Sequence, residues 1–130
     1  MLEGHESRVR ALALADLGGR RVLLASADLD GTINRWDPHT GERLGTATNA
    51  HQDGICQLHL TQLAGAPQLI SVGGDSVIRR WGAITGQLID ESLTGYSATT
   101  CLIDGRPVLA IGDADGTTIS LYALSDVGDQ

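Results

Sequence analysis

The chain has 130 residues, 42% of them apolar, which suits one ordinary domain with a core and leaves little room for disorder. Its net charge of −7 argues against a nucleic-acid binder, which needs a basic face. The 17 glycines point to many turns, and with no Phe the core rests on Leu, Ile, Val and Ala.

The N-terminal "MLEGHESRVR" lacks the apolar stretch of a signal peptide, and no later apolar run approaches a membrane span, so the expected location is cytoplasmic. From there the chain reads as short strands separated by turn chemistry. "RVRALAL", "RVLLASA", "TINRWD" and "ERLGTAT" are strands; "ADLGGR", "DLDG" and "PHTG" are turns. The next unit starts at "AHQDGICQLHL" and the third, weaker one ends in "LAIGDADGTTISLYAL". No stretch of helical period runs free of Gly or turn signals. Cys56 and Cys101 fall on the first strands of the second and third units, where small buried apolar residues are expected. They form no CxxC or Cys/His cluster, so no metal or cofactor is expected.

These units are repeats. Ser26, Asp30, Trp36, Thr40 and Gly41 match Ser71, Asp75, Trp81, Thr85 and Gly86 at a constant offset of 45. His5 matches His51 at an offset of 46, which places a one-residue indel in the first hairpin. Asp115, Gly116 and Thr117 repeat Asp30, Gly31 and Thr32, while Ile111 stands in place of the Ser and Tyr122 in place of the Trp.

A period near 40–45 residues, with Gly4-His5 at its start and Trp36-Asp37 near its end, resembles the WD-repeat β-propeller family. The resemblance implies an all-β fold of three four-stranded antiparallel blades, the last incomplete, as part of a larger propeller. The repeats cover about 2–49, 50–94 and 95–124, with a polar tail at 125–130. It also implies a polar chain running from the Trp indole through the Ser and the His to the turn Asp. The expected networks are His5, Ser26, Asp30 and Trp36, and His51, Ser71, Asp75 and Trp81. Repetition of the same set favours structure over a catalytic Ser-His-Asp triad.

"ADLDGTIN" also resembles the nucleophile loop of haloacid-dehalogenase-type phosphatases. That reading needs alternating helices and a downstream Lys, and the chain has no Lys. A calcium loop counted from Asp28 has His39 where the closing Glu belongs. Because Asp-x-Asp-Gly-Thr recurs at 113–117, only the later Asp of each pair is expected to matter, with Asp28 and Asp113 dispensable.

The resemblance implies a non-catalytic scaffold for a protein or peptide partner. It puts Arg8, Arg10, Leu29, Gly54, Cys56, Gly74 and Ala114 on the face that family members use for docking. Arg35 and Arg80 are expected to pack their stems between blades. Three blades do not close a ring. The expectation is either the C-terminal part of a larger propeller or a module that completes a ring by self-association.

Overall fold

The computed structural model describes residues 2–19, 21–48, 50–61, 67–104, 106–113 and 116–123. Ala114, Asp115 and the tail 125–130 lie outside the described residues. Within them the chain forms strands and turns and no helix, so no helix is long and apolar enough to cross a membrane.

Blade 1 is β1 (Val9–Gly18), β2 (Arg21–Asp28), β3 (Ile33–Asp37) and β4 (Glu42–Ala47), paired antiparallel in chain order. Blade 2 repeats the order with β5 (Ile55–Thr61), β6 (Gln68–Gly73), β7 (Val77–Gly82) and β8 (Leu88–Thr94). Blade 3 has β9 (Ser97–Ile103), β10 (Arg106–Gly112) and β11 (Ile119–Ala123), three strands among the described residues. The first hairpin is tighter than the sequence implies. Asp16 still pairs with Val22, and its carboxylate accepts the Gly18 amide at 2.9 Å, so the strand persists where "ADLGGR" reads as a loop.

Strand register preserves the repeat. Leu24 faces Trp36, Leu69 faces Trp81 and Leu109 faces Tyr122, each pair on the second and third strands of its blade. One residue shifts a side chain to the other side of a sheet, so this register decides which apolar set meets the next blade.

Blades stack through their inner strands: β1 and β2 touch β5, and β5 touches β9. In the first joint Leu23, Ala25, Ala27 and Ile33 of blade 1 pack with Ile55, Leu58 and Leu69 of blade 2. In the second, Ile70, Val72 and Ile78 of blade 2 pack with Ala98, Leu109 and Ile111 of blade 3. Strand β6 is buried at every position because a blade covers each of its sides, with Leu69, Ile70 and Val72 in the joints and the polar Gln68 and Ser71 held by hydrogen bonds. Each fully buried Leu or Ile side chain in these joints contributes about 1.5–3 kcal/mol.

Candidate functional site

Two polar chains run across the blades. In blade 2 the Trp81 indole N–H donates to Ser71 Oγ at 2.9 Å. The Ser71 hydroxyl donates to His51 Nε2 at 2.8 Å, and His51 Nδ1–H donates to Asp75 Oδ1 at 2.9 Å. This order assigns the proton of the neutral ring to Nδ1, facing the ionised carboxylate that only accepts, while the Arg79 guanidinium also stands 2.8 Å from Nδ1. Arg79 Nη1 lies 3.1 Å from Asp75 Oδ2, and the Val77 amide donates to Asp75 Oδ1 at 3.1 Å. Burial by itself would raise the Asp75 pKa, but the hydrogen bonds from His51, Val77 and Arg79 outweigh it and bring it down to about 2. Burial pushes His51 below its ordinary value, against the pull of Asp75.

Blade 1 holds the same chain with one change. Trp36 N–H donates to Ser26 Oγ at 2.8 Å, and Ser26 lies 2.5 Å from His5 Nε2. His5 Nδ1 then meets Asp28 Oδ2 at 2.7 Å, where the repeat alignment puts Asp30. The expectation for these two residues is therefore reversed. Asp28 is 1% exposed, and its other oxygen accepts the amides of Asp30 at 2.9 Å and Thr32 at 3.1 Å. Asp30 is exposed.

The physical reason lies in the turn. An Asp at its first position folds back onto the amides that follow, leaving one oxygen for the His. Blade 2 has Gly73 there, and a Cβ on Gly73 would collide with the His51 ring, so the carboxylate comes from two residues later. In blade 3 the corresponding Asp113 accepts the hydroxyls of Thr118 and Ser120, each at 2.7 Å. Asp28 and Asp113 thus both carry polar bonds, contrary to the expectation that they are dispensable, while Asp115 lies outside the described residues.

This geometry does not suit a phosphatase nucleophile. Asp28 is enclosed and both its oxygens are engaged, and the described residues contain no helix to build an α/β sheet.

The residues expected on the docking face gather at one end of the blades. The Leu29 amide donates to the Arg8 carbonyl at 3.1 Å and the Gly74 amide to the Gly54 carbonyl at 3.0 Å, so each pair brackets the same end of its blade. Arg8, Arg10, Leu29, Cys56 and Gly74 are exposed there. Gly54 is not. It is buried with φ of 82°, and a Cβ on it would stand 2.6 Å from the Leu29 carbonyl, so it belongs to the joint between blades. Cys56 and Cys101 are both exposed thiols rather than buried apolar residues. A register shift between Ile55 and Gln57 turns Cys56 outward, and Cys101 pairs with Val108 on the uncovered side of blade 3.

Arg35, expected to pack its stem between blades, makes a second link there with its head, which the sequence pattern did not give. Arg35 Nη1 donates to the Ala83 and Ile84 carbonyls at 3.2 and 2.7 Å, tying β3 to the turn after β7. Arg80 is 3% exposed, with Nη1 donating to Gln68 Oε1 at 3.2 Å and Nε 3.8 Å from Asp90 Oδ2.

Four-stranded blades tied by a Trp–Ser–His–Asp chain define a WD-repeat β-propeller protein, and this chain belongs to that family. No protein-family model matches it. It is 31% identical to the nuclear distribution protein PAC1 of Arthroderma benhamiae and to that of Trichophyton verrucosum, covering 95% of this chain and 28% of each relative. It is 37% identical to eukaryotic translation initiation factor 3 subunit I of Bombyx mori, over 78% of this chain and 29% of that protein. The chain thus spans less than a third of the curated relatives it matches. The computationally designed protein Ika4 has a similar structure, with a TM-score of 0.68 and 28% identity, over all of this chain and 79% of that one. U3-55K shares the fold at a TM-score of 0.64 and 19% identity, over 95% of this chain and 41% of that one.

Proposed function

We propose that the chain is a non-catalytic scaffold, a segment of a closed propeller that holds a protein partner at the end of its blades. The observation that carries this reading is the exposed group Arg8, Arg10 and Leu29, with the Leu29 amide bonded to the Arg8 carbonyl and the Leu29 carbonyl packed against Gly54 of the next blade. Two guanidinium groups on a rigid rim suit an acidic or phosphorylated peptide, because the planar fork matches carboxylate and phosphate oxygens. Its relatives support a scaffold: one is by name a subunit of a larger factor. In each polar chain the Ser hydroxyl oxygen is buried and takes the Trp indole N–H, so it ties the blade together instead of facing a substrate.

An array of acidic and phosphoserine peptides tests the reading, with fluorescence anisotropy on those that bind. Binding should be lost in the Arg8→Glu, Arg10→Glu double variant while its circular dichroism stays that of the parent. A parent protein that binds no peptide on the array, or a double variant that binds as well, overturns it.

A further inference from the structure

Blades 1 and 2 meet closely at one end of their joint and part at the other. The close end is that of Arg8 and Leu29, where Val9 pairs with Asp28 and Gly54 presses on the Leu29 carbonyl. Gly18 pairs with Arg21 at the far end. There a groove of about 380 Å³ opens between the blades, within the range of about 300–1,000 Å³ typical of ligand sites. Leu17, Leu23 and Leu44 of blade 1 form one apolar wall, and Ala83 and Ile84 of blade 2 the other. Both walls belong to blades already joined to each other, so a further blade stacked on the outer side of blade 1 or blade 3 would not cover the groove.

The charge in this groove lacks a partner that blade 2 supplies for itself. Arg35 and Arg80 hold the same place in the repeat, each just before its Trp. Arg80 pairs across the sheet with Asp90, whose carboxylate stands 3.8 Å from its Nε, and Gln68 accepts from its Nη1 at 3.2 Å. In blade 1 the position of Asp90 is Gly45, opposite Arg35, and that of Gln68 is Leu23. Arg35 gives Nη1 to the Ala83 and Ile84 carbonyls and forms no ion pair with a described carboxylate. Its guanidinium lies between Gly45 and Gly86, where a Cβ on either would collide with Nη2. Burial lowers its pKa, and no neighbouring charge opposes that shift. Arg21 is exposed at the same end, while the acid there, Asp37, turns Oδ1 back onto the His39 amide at 2.9 Å. In a chain of net charge −7, the groove thus sets two cations against one anion.

We infer that this groove is a second docking site, which receives a peptide segment of a partner protein carrying an acidic side chain between aliphatic ones. The carboxylate meets the Arg35 guanidinium from the groove, as Asp90 meets Arg80 within blade 2. The planar fork favours a carboxylate over a neutral amide. The aliphatic side chains lie on Leu17, Leu44 and Ile84, of which Leu44 and Ile84 are 48% and 46% exposed. A peptide suits the place because blade 2 fills the equivalent place with side chains of its own, Asp90 and Gln68. The site lies at the opposite end of the blades from Arg8 and does not depend on docking there.

Fluorescence anisotropy with capped hexapeptides tests the inference on the full chain bearing Arg8→Glu and Arg10→Glu, so that the other end of the blades does not contribute. Peptides with Asp or Glu set between Leu, Ile or Val should bind. Counterparts with Asn or Gln for the acid should bind about tenfold more weakly, because a charged pair is lost. Counterparts with Ser for the aliphatic residues should not bind, which separates the groove from the Arg8 end. Adding Leu44→Asp puts a like charge on the exposed rim and should abolish binding with an unchanged melting curve. Adding Arg35→Gln should erase the preference for acid over amide; should that variant unfold, Arg21→Glu, which also sets a like charge at the groove, should weaken binding in its stead. No binding by any acidic peptide, equal binding by the amide or Ser counterparts, or full binding after Leu44→Asp each overturns it. Binding of dodecanoate without any peptide also overturns it and assigns the groove to a free amphipathic carboxylate.

Discussion

His5 Nδ1 lies 2.7 Å from Asp28 Oδ2, and through Ser26 this pair holds the indole of Trp36 in the interior of blade 1. Removing the Asp28 carboxylate leaves the ring N–H and the amides of Asp30 and Thr32 without their acceptor. An unsatisfied buried donor costs about 1–3 kcal/mol. Asp28→Ala should therefore lower Tm by roughly 5–10 °C. Asp30→Ala should leave Tm nearly unchanged. Thermal melts of the two variants side by side decide the matter, and equal shifts would contradict the assignment.

Ser71 is the hinge of the second chain, accepting from Trp81 and donating to His51. Ser71→Ala orphans two groups at once, so it should cost about 2 kcal/mol or more. Trp81→Phe removes the donor together with its need, and leaves Ser71 free to keep its bond to His51. Urea unfolding should rank Ser71→Ala as the more costly per atom removed.

Acid should weaken the fold in two stages. His51 has a lowered pKa, so the folded state binds its proton less readily than the unfolded chain. Its contribution is complete above the ordinary value of 6.5 and is lost as pH falls below it. Asp75 is brought from 3.8 to about 2, so its contribution is complete above the ordinary value and lost as pH falls toward about 2. The urea midpoint should be level near neutrality and decline on acidification. Asp75→Asn should flatten the lower stage and leave a less stable protein at pH 7.

Gly31 and Gly116 have nearly the same left-handed backbone, with φ of 83° and 80°. Alanine at either position incurs about 1 kcal/mol of conformational strain. Only Gly31→Ala also drives a methyl into the His51 backbone across the joint. In thermal melts Gly31→Ala should lower the melting temperature clearly more than Gly116→Ala.

The repeated letters by themselves determined a great deal. Trp36 and Trp81, spaced with Ser26 and Ser71 at one offset, declared the blade as the unit, and alternation within each short run declared strands. Side-chain period and turn chemistry are local, so one strand and its neighbours in sequence carry them. What the alignment could not tell was which carboxylate reaches His5. Asp28 and Asp30 both stand near the turn, and the choice depends on space that Gly73 leaves and Asp28 fills. Nor could it tell that Gly54 is sealed by Leu29 of another blade, or that Arg35 grips the Ala83 and Ile84 carbonyls. Those contacts join residues far apart in the chain. Leu12 and Leu58 read alike in the sequence, and only the stacking of blades decides that one is bare and the other buried.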